Sequence, residues 1–121
     1  MYEAKYNNYY STAKANGYDS KFEAGKAQEL ELLKKAGEIK DFVSQKVLEL
    51  VVNGYVVCTY KIDFIVYHND GITEYVECKG YATPVWKLKW KLFEALYDVP
   101  GNKLTVEYQG KGWKPQRRRK K

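Results

Sequence analysis

The chain has 121 residues, of which 30% are charged and 45% hydrophobic, a composition typical of one folded domain. No apolar run approaches the roughly 18 residues that would indicate a membrane span. The first residues also lack the basic-then-apolar layout of a signal peptide. The two cysteines, Cys58 and Cys78, lie in strand-like segments without metal-site spacing, which favours small buried side chains. We therefore expect a cytoplasmic protein with no membrane partner.

The net charge of +6 is concentrated at one end of the chain. Residues 111–121 carry seven bases and no acid, whereas the rest carries 14 bases and 15 acids. Such a run is typical of a tail that contacts polyanions or only aids solubility, and the nearby Trp113 favours nucleic acid. The nucleic-acid-binding residues that we predict in this basic tail are Lys114, Arg117, Arg118, Arg119, Lys120 and Lys121.

The domain proper is expected over residues 19–110, after an irregular arm rich in tyrosine and lysine over 1–18. That arm would either stack on bases, with its lysines on phosphates, or pack on its own domain. A first helix is predicted from Asp19 or Ser20 as N-cap to a point near Gly37. At about 100° per residue, Glu23 falls within the apolar stripe of this helix, which consists of Phe22, Ala27, Leu30 and Leu33.

Three strands follow, over 47–52, 55–67 and 72–79. Asn53-Gly54 between the first two is a strong hairpin signal, and a second turn covers residues 68–71. We interpret His68, the single histidine, as a turn residue. The element order and turn lengths predict an antiparallel meander.

A second helix is predicted with Thr83 as cap and Pro84 at its first position, ending near Tyr97, before a last strand over 103–108. The order α-β-β-β-α-β predicts a helical crossover into a parallel edge strand. This helix has two apolar stripes, an arc wider than one sheet needs. We expect the stripe of Trp86, Trp90, Phe93 and Tyr97 to form a dimer interface.

Charged residues interrupt the second and third strands. Asp63 lies within an apolar run, and Glu77 and Lys79 close the next strand. Buried charges are costly unless they pair or bind a metal. Alternation places Glu77 and Lys79 on one face and Cys78 on the other, and places Asp63 on a face with Ile65 and Tyr67.

If this face meets the first helix, Glu23 approaches Asp63 and Glu77. Three neighbouring carboxylates repel one another unless a cation intervenes, and Mg²⁺ prefers such oxygen ligands. The expected cofactor is therefore Mg²⁺, with Mn²⁺ as a substitute, which would activate water and stabilise a leaving oxygen. The metal set that we predict is Glu23, Asp63, Glu77 and Cys78.

Two lysines complete the predicted site. Lys79 would stabilise the charge that develops on a phosphate. Lys89 lies between the two apolar stripes of the second helix, where it would either reach the scissile phosphate or snorkel to solvent. The catalytic residues that we predict are Glu23, Asp63, Glu77, Lys79 and Lys89.

These residues resemble the motif of the PD-(D/E)xK nuclease superfamily: a helical glutamate, an aspartate in the second strand and Glu-x-Lys in the third. The likeness covers residues 19–108, with Ile62 in place of the proline of the motif. The chain also resembles small archaeal-type Holliday junction resolvases. It is more closely similar to a resolvase-like phage family, through Lys-Phe-Glu-Ala at 21–24, Tyr-Lys-Ile-Asp-Phe at 60–64 and Tyr-Val-Glu-Cys-Lys-Gly at 75–80.

The resemblance implies a restriction-endonuclease-like α/β fold, a mixed sheet flanked by helices, with Mg²⁺-dependent nuclease activity. It also implies a homodimer that cuts two strands symmetrically, in the host cytoplasm if a phage encodes it. We expect a structure-selective endonuclease that resolves branched DNA. The alternatives are a nicking or flap nuclease of the same fold, or a non-catalytic DNA-binding module that uses the arm and the tail.

Overall fold

A computed structural model of the protein describes residues 20–108. The predicted arm over 1–18 and the predicted basic tail over 111–121, including all six of its predicted nucleic-acid-binding residues, lie outside the described residues. The element order is the predicted one. The elements are α1 (Lys21–Lys35), β1 (Asp41–Val52), β2 (Tyr55–Tyr67), β3 (Thr73–Lys79), α2 (Pro84–Tyr97) and β4 (Asn102–Tyr108).

The four strands form one mixed sheet in the order β1-β2-β3-β4. The β1–β2 and β2–β3 pairs are antiparallel, and β4 pairs with β3 in parallel, so the predicted meander and crossover are confirmed. The helices cover opposite faces. Val76 of β3 packs in a cluster with Leu30 of α1, whereas the neighbouring Tyr75 packs in a cluster with Trp90 of α2. We refer to these as the α1 cluster and the α2 cluster.

Local signals account for the ends of the elements. The Ser20 hydroxyl accepts a hydrogen bond from the Glu23 amide at 3.1 Å, and the Thr83 hydroxyl accepts one from the Trp86 amide at 3.1 Å, which satisfies amides that lack a partner within each helix. The hairpin turn has positive φ at Asn53 (53°) and Gly54 (83°), as a two-residue turn of this kind requires.

The first strand begins at Asp41 rather than near residue 47. The earlier start is not evident in the sequence because of Gln45, which has a φ of 54°. Pairing between β1 and β2 is regular on either side, at Ser44↔Phe64 and at Lys46↔Ile62, but not at Gln45 itself. A left-handed residue inside a strand breaks the two-residue period, so the segment before residue 47 does not show the alternation by which strands are recognised.

Side-chain alternation in β2 is also interrupted opposite Gln45. Ile62 packs in the α2 cluster and Phe64 in the α1 cluster, although regular alternation would place them on one face. Residues 62–66 are consequently all buried. The prediction of strict alternation through Asp63 is therefore wrong.

The prediction that the aromatic stripe of α2 forms a dimer interface is also wrong. Trp86, Trp90 and Phe93 are buried in the α2 cluster, so they do not offer a dimer surface. Val85 and Leu88, which belong to the second apolar stripe of α2, are 66% and 71% exposed. The reason is the length of the β1–β2 hairpin, which extends beyond its ladder with β3 and adds core residues that the aromatic stripe covers, namely Leu50, Tyr60 and Ile62.

Candidate active site

The site lies where β2 and β3 stop pairing. Their ladder runs from Tyr67↔Thr73 to Phe64↔Val76 and ends there. The next pair would be Asp63 and Glu77. Instead, the Asp63 carboxylate accepts a hydrogen bond from the main-chain amide of Cys78 at 2.8 Å. We call this point the β2–β3 fork; it places Asp63 and Glu77 on adjacent strands.

Three buried carboxylates come from the elements around the fork. Glu23 from the first turn of α1, Asp63 from β2 and Glu77 from β3 are 8%, 6% and 4% exposed. We call them the carboxylate cluster. The burial of Glu23 confirms its predicted place on the inner face of α1.

The carboxylate cluster is coupled electrostatically. Burial raises the pKa of Glu77 to about 7, against the opposing effects of Lys79 and Tyr60, and the charge of Glu23 raises it further. Burial also raises the pKa of Tyr60, and the charges of Glu77 and Asp63 add to that rise. Like charges act this way only when they are close together. Burial and the neighbouring acids thus disfavour the charged form of Glu77.

Lys79 lies beside this cluster, on the same face of β3 as Glu77, as predicted. Its ammonium nitrogen is 3.3 Å from Oε2 of Glu77 and 4.6 Å from the ring centroid of Trp86. Because Trp86 belongs to α2, this face is covered by the second helix and not by the first, contrary to the prediction. Glu23 belongs to α1, which covers the opposite face of the sheet. The site therefore combines residues from both faces at the end of the β2–β3 ladder.

Two residues of the site were missed by sequence reasoning. The Tyr60 hydroxyl donates a hydrogen bond to Oε1 of Glu77 at 2.6 Å and accepts one from the indole N–H of Trp86 at 3.1 Å. From the sequence, Tyr60 is recognised only as part of the motif at 60–64, with no role of its own. Trp86 is assigned there to a dimer interface. A signal was present, because a tyrosine that lies within a core needs a hydrogen-bond partner for its hydroxyl.

Two predicted site residues have different surroundings. The Cys78 thiol packs in the α1 cluster, on the face away from Glu77 as predicted, and burial raises its pKa. A neutral thiol is a poor metal ligand, and the contact of Cys78 with Asp63 is made by its main-chain amide. Lys89 is half-buried on α2, and its side chain makes no hydrogen bond or ion pair with another described residue.

The carboxylate cluster matches a hard divalent cation in its chemistry. Its side chains offer only oxygen atoms, which is the donor type that Mg²⁺ prefers, and their mutual repulsion is what a bound cation would relieve. Within residues 20–108, no three acidic, histidine or cysteine side chains are already arranged around one point as metal ligands would be. Two of the carboxylates instead contact protein groups: Asp63 accepts from the Cys78 amide, and Glu77 contacts Tyr60 and Lys79.

The fold and the site together define a small α/β protein with buried acidic groups at a break in its sheet. Within the described range, no helix is long and apolar enough to cross a membrane. The sequence profile of a family described as protein of unknown function, DUF1064, matches residues 3–109, so the chain belongs to this family. Neither the curated proteins nor the solved structures gave a match.

Proposed function

We propose that the protein is a Mg²⁺-dependent endonuclease that hydrolyses phosphodiesters in branched DNA. The observation that carries this proposal is the carboxylate cluster, three buried acids from three elements, with Lys79 beside it. A core that only had to be stable would gain by replacing these groups with apolar ones. Retaining them is explained if they act on a cation and on a phosphate.

Each residue has a distinct task in this proposal. Glu23, Asp63 and Glu77, with the main chain of Cys78, would hold the cation. Mg²⁺ supplies positive charge that lowers the pKa of water and stabilises a leaving oxygen. Asp63 is oriented by the Cys78 amide, and Glu77 is oriented by Tyr60.

Lys79 would act on the substrate directly. Its ammonium group is held between Glu77 and the Trp86 ring, with the side chain 18% exposed. A cation fixed before the reaction begins stabilises charge that develops on a phosphate oxygen in the transition state, and it does so without reorganisation. This is the role that we propose for Lys79.

Branched DNA is the proposed substrate because shape is the feature that this protein is equipped to read. Both described helices pack on the sheet through their apolar faces, so neither is a free recognition helix for base edges. The excess of basic residues lies at 111–121, and such charge binds phosphates without regard to sequence. The proposed location is the cytoplasm.

A two-fold homodimer is part of the proposal, since a four-way junction has two equivalent strands to cut. The aromatic stripe predicted for this interface is buried. The outer side of α2, where Val85 and Leu88 are exposed, is the apolar surface of that helix that remains for it.

The proposal is tested by incubating the purified protein with four-way, flap and linear DNA of equal length, with and without Mg²⁺. We expect cleavage only with Mg²⁺, paired cuts in opposing strands of the junction, and weaker action on linear duplex. The Asp63→Ala variant serves as the inactive control. Cleavage of flaps or nicks in preference to junctions would favour the alternative nuclease of the same fold. DNA binding without cleavage under any divalent cation would contradict the enzyme.

A further inference from the structure

Four side chains at the fork form a closed ring of contacts. The Trp86 indole donates to the Tyr60 hydroxyl at 3.1 Å, and that hydroxyl donates to Glu77 at 2.6 Å. Glu77 contacts the Lys79 ammonium at 3.3 Å, and the ammonium lies 4.6 Å from the Trp86 ring centroid. Trp86 therefore touches Lys79 through its ring face and reaches Glu77 through Tyr60.

The hydrogen bonds in this ring run from Trp86 through Tyr60 to Glu77. An indole N–H can only donate, so the Tyr60 hydroxyl accepts from Trp86, and its own proton is donated to Oε1 of Glu77. One oxygen of Glu77 is thereby assigned to Tyr60, and the other is the one that contacts Lys79. These two contacts orient the plane of the Glu77 carboxylate.

Packing holds the two aromatic members in place. Tyr60 is buried, with its ring 5.1 Å from that of Phe93, and Trp86 is stacked on Trp90 at 5.7 Å. Lys79, by contrast, has a long flexible stem whose ammonium group is mobile unless something fixes it. The rigid aromatic pair thus supports the flexible lysine and the carboxylate.

We propose that Tyr60 and Trp86 are a pair of positioning residues that fix Glu77 and Lys79 relative to each other. The inference deepens the proposed function and rests on it for its catalytic meaning. Without the Tyr60 hydroxyl, the Glu77 carboxylate is free to turn toward Lys79 with both oxygens. Without the Trp86 ring, the ammonium group loses the surface that holds it in place.

The connection itself is tested without metal or DNA, from the indole N–H signals in ¹H–¹⁵N spectra. Trp86→Phe assigns the Trp86 signal. We expect Glu77→Gln to move that signal in the otherwise wild-type protein and to leave it unmoved when Tyr60→Phe is also present. The Trp90 signal, assigned through Trp90→Phe, reports general changes of packing, because the Trp90 N–H has no hydrogen-bond partner within the described range while its ring lies 5.7 Å from that of Trp86. A Glu77→Gln effect that is absent, or that is the same without the Tyr60 hydroxyl, overturns the proposal.

The catalytic consequence is tested by turnover and DNA affinity. Tyr60→Phe should lower turnover by about 10- to 100-fold, the usual cost of losing a group that orients a ligand, with DNA affinity unchanged. Tyr75→Phe is the matched control, since Tyr75 packs on the same Phe93 at 5.6 Å and should keep wild-type turnover. Trp86→Phe, which removes the indole N–H, should follow Tyr60→Phe.

These two experiments separate the possible failures. Wild-type turnover in Tyr60→Phe, with the fold intact by thermal unfolding, contradicts the positioning role. A wild-type protein that cuts no DNA contradicts the proposed nuclease instead, and the spectra then decide alone whether Tyr60 and Trp86 connect to Glu77. If Tyr60→Phe does not fold, Trp86→Phe supplies the same comparison.

Discussion

The Lys79 ammonium group is the part of the site whose removal is simplest to interpret. Lys79→Ala deletes a fixed positive charge next to the proposed phosphate position, and we expect turnover to fall by roughly 10²-fold, a typical loss for one such group. DNA affinity should change little by comparison. Single-turnover cleavage measures the first quantity and competition binding the second.

Lys89→Ala is the matched control for this prediction. It also removes one positive charge, but from α2 and from a side chain that contacts no acidic group within residues 20–108. Its effect on turnover should therefore be smaller than that of Lys79→Ala. Equal losses in the two variants would assign the effect to overall charge and not to the place of Lys79.

Glu74, which lies away from the site, stabilises the fold in a pH-dependent way. The Glu74 carboxylate accepts from Thr105 at 2.6 Å and lies 2.7 Å from the His68 ring nitrogen. Burial alone would raise its pKa, but these hydrogen bonds and the charges of Lys103 and His68 outweigh burial, so the pKa lies below its ordinary value of 4.5.

The sign of the resulting pH dependence follows from that shift. A carboxyl group whose pKa is lowered by folding stabilises the protein above its unfolded pKa, and the contribution is lost as the pH falls through the folded value. We therefore expect the stability advantage of wild type over Glu74→Gln to shrink as the pH falls below about 4.5. Urea unfolding across pH measures it. An advantage that grows on acidification would contradict the assignment, and the exposed Glu49→Gln is the control.

Sequence reasoning at the residue scale succeeded where a charge interrupted a regular pattern. Glu23, Asp63 and Glu77 stood out because charged groups rarely lie on buried faces, and all three are buried. Tyr60 and Trp86 did not stand out, because aromatic residues in a core are ordinary. The contact between Tyr60 and Trp86 depends on which helix covers each face of β2. The interruption of side-chain alternation at Gln45 and Asp63 changes this, and the periodicity of the sequence does not reveal it.

At the scale of elements, helix α1 carries one residue that weakens it. Gly25 lies in the helix interior, and a Cβ there would meet no atom within 4 Å. Gly25→Ala should therefore stabilise the protein by about 0.5 to 1 kcal/mol through helix propensity, with cleavage unchanged. Thermal or urea unfolding checks the first outcome.

Gly54→Ala provides the contrast. A Cβ at Gly54 also meets open space, but φ there is +83°, a conformation that favours glycine, so this variant should be destabilised. Stabilisation by both substitutions would mean that the hairpin turn is not held in its left-handed form.

The elements themselves were predictable because their signals are local. N-caps at Ser20 and Thr83 and the Asn53-Gly54 turn involve residues within three positions of each other. The start of β1 and the buried stripe of α2 were mispredicted because both depend on distant contacts: the pairing of β1 with β2 around Gln45, and the reach of the hairpin over α2.

At the scale of the whole molecule, the basic residues of 111–121 should set the strength of DNA binding but not its preference. Removing residues 112–121 takes away six bases. Binding to every DNA form should weaken, and the slope of log affinity against log salt should fall by about 0.9 for each phosphate that is no longer neutralised. The ratio of junction to linear affinity should stay the same.

A variant of full length, with the same six bases replaced by glutamine, separates charge from chain length. It should reproduce the truncated protein. A salt slope that neither change alters would show that this segment does not neutralise phosphates, and a changed junction-to-linear ratio would give it a part in recognising shape.

The central claim, that the carboxylate cluster binds a divalent cation, is tested most directly by a Mn²⁺ titration followed by electron paramagnetic resonance. We predict saturable binding to the wild type that Mg²⁺ competes for, and loss of that binding in Asp63→Asn and Glu77→Gln, whose side chains keep their size but not their charge. Equal Mn²⁺ binding by the wild type and both variants, or no binding by any of them, would contradict the account.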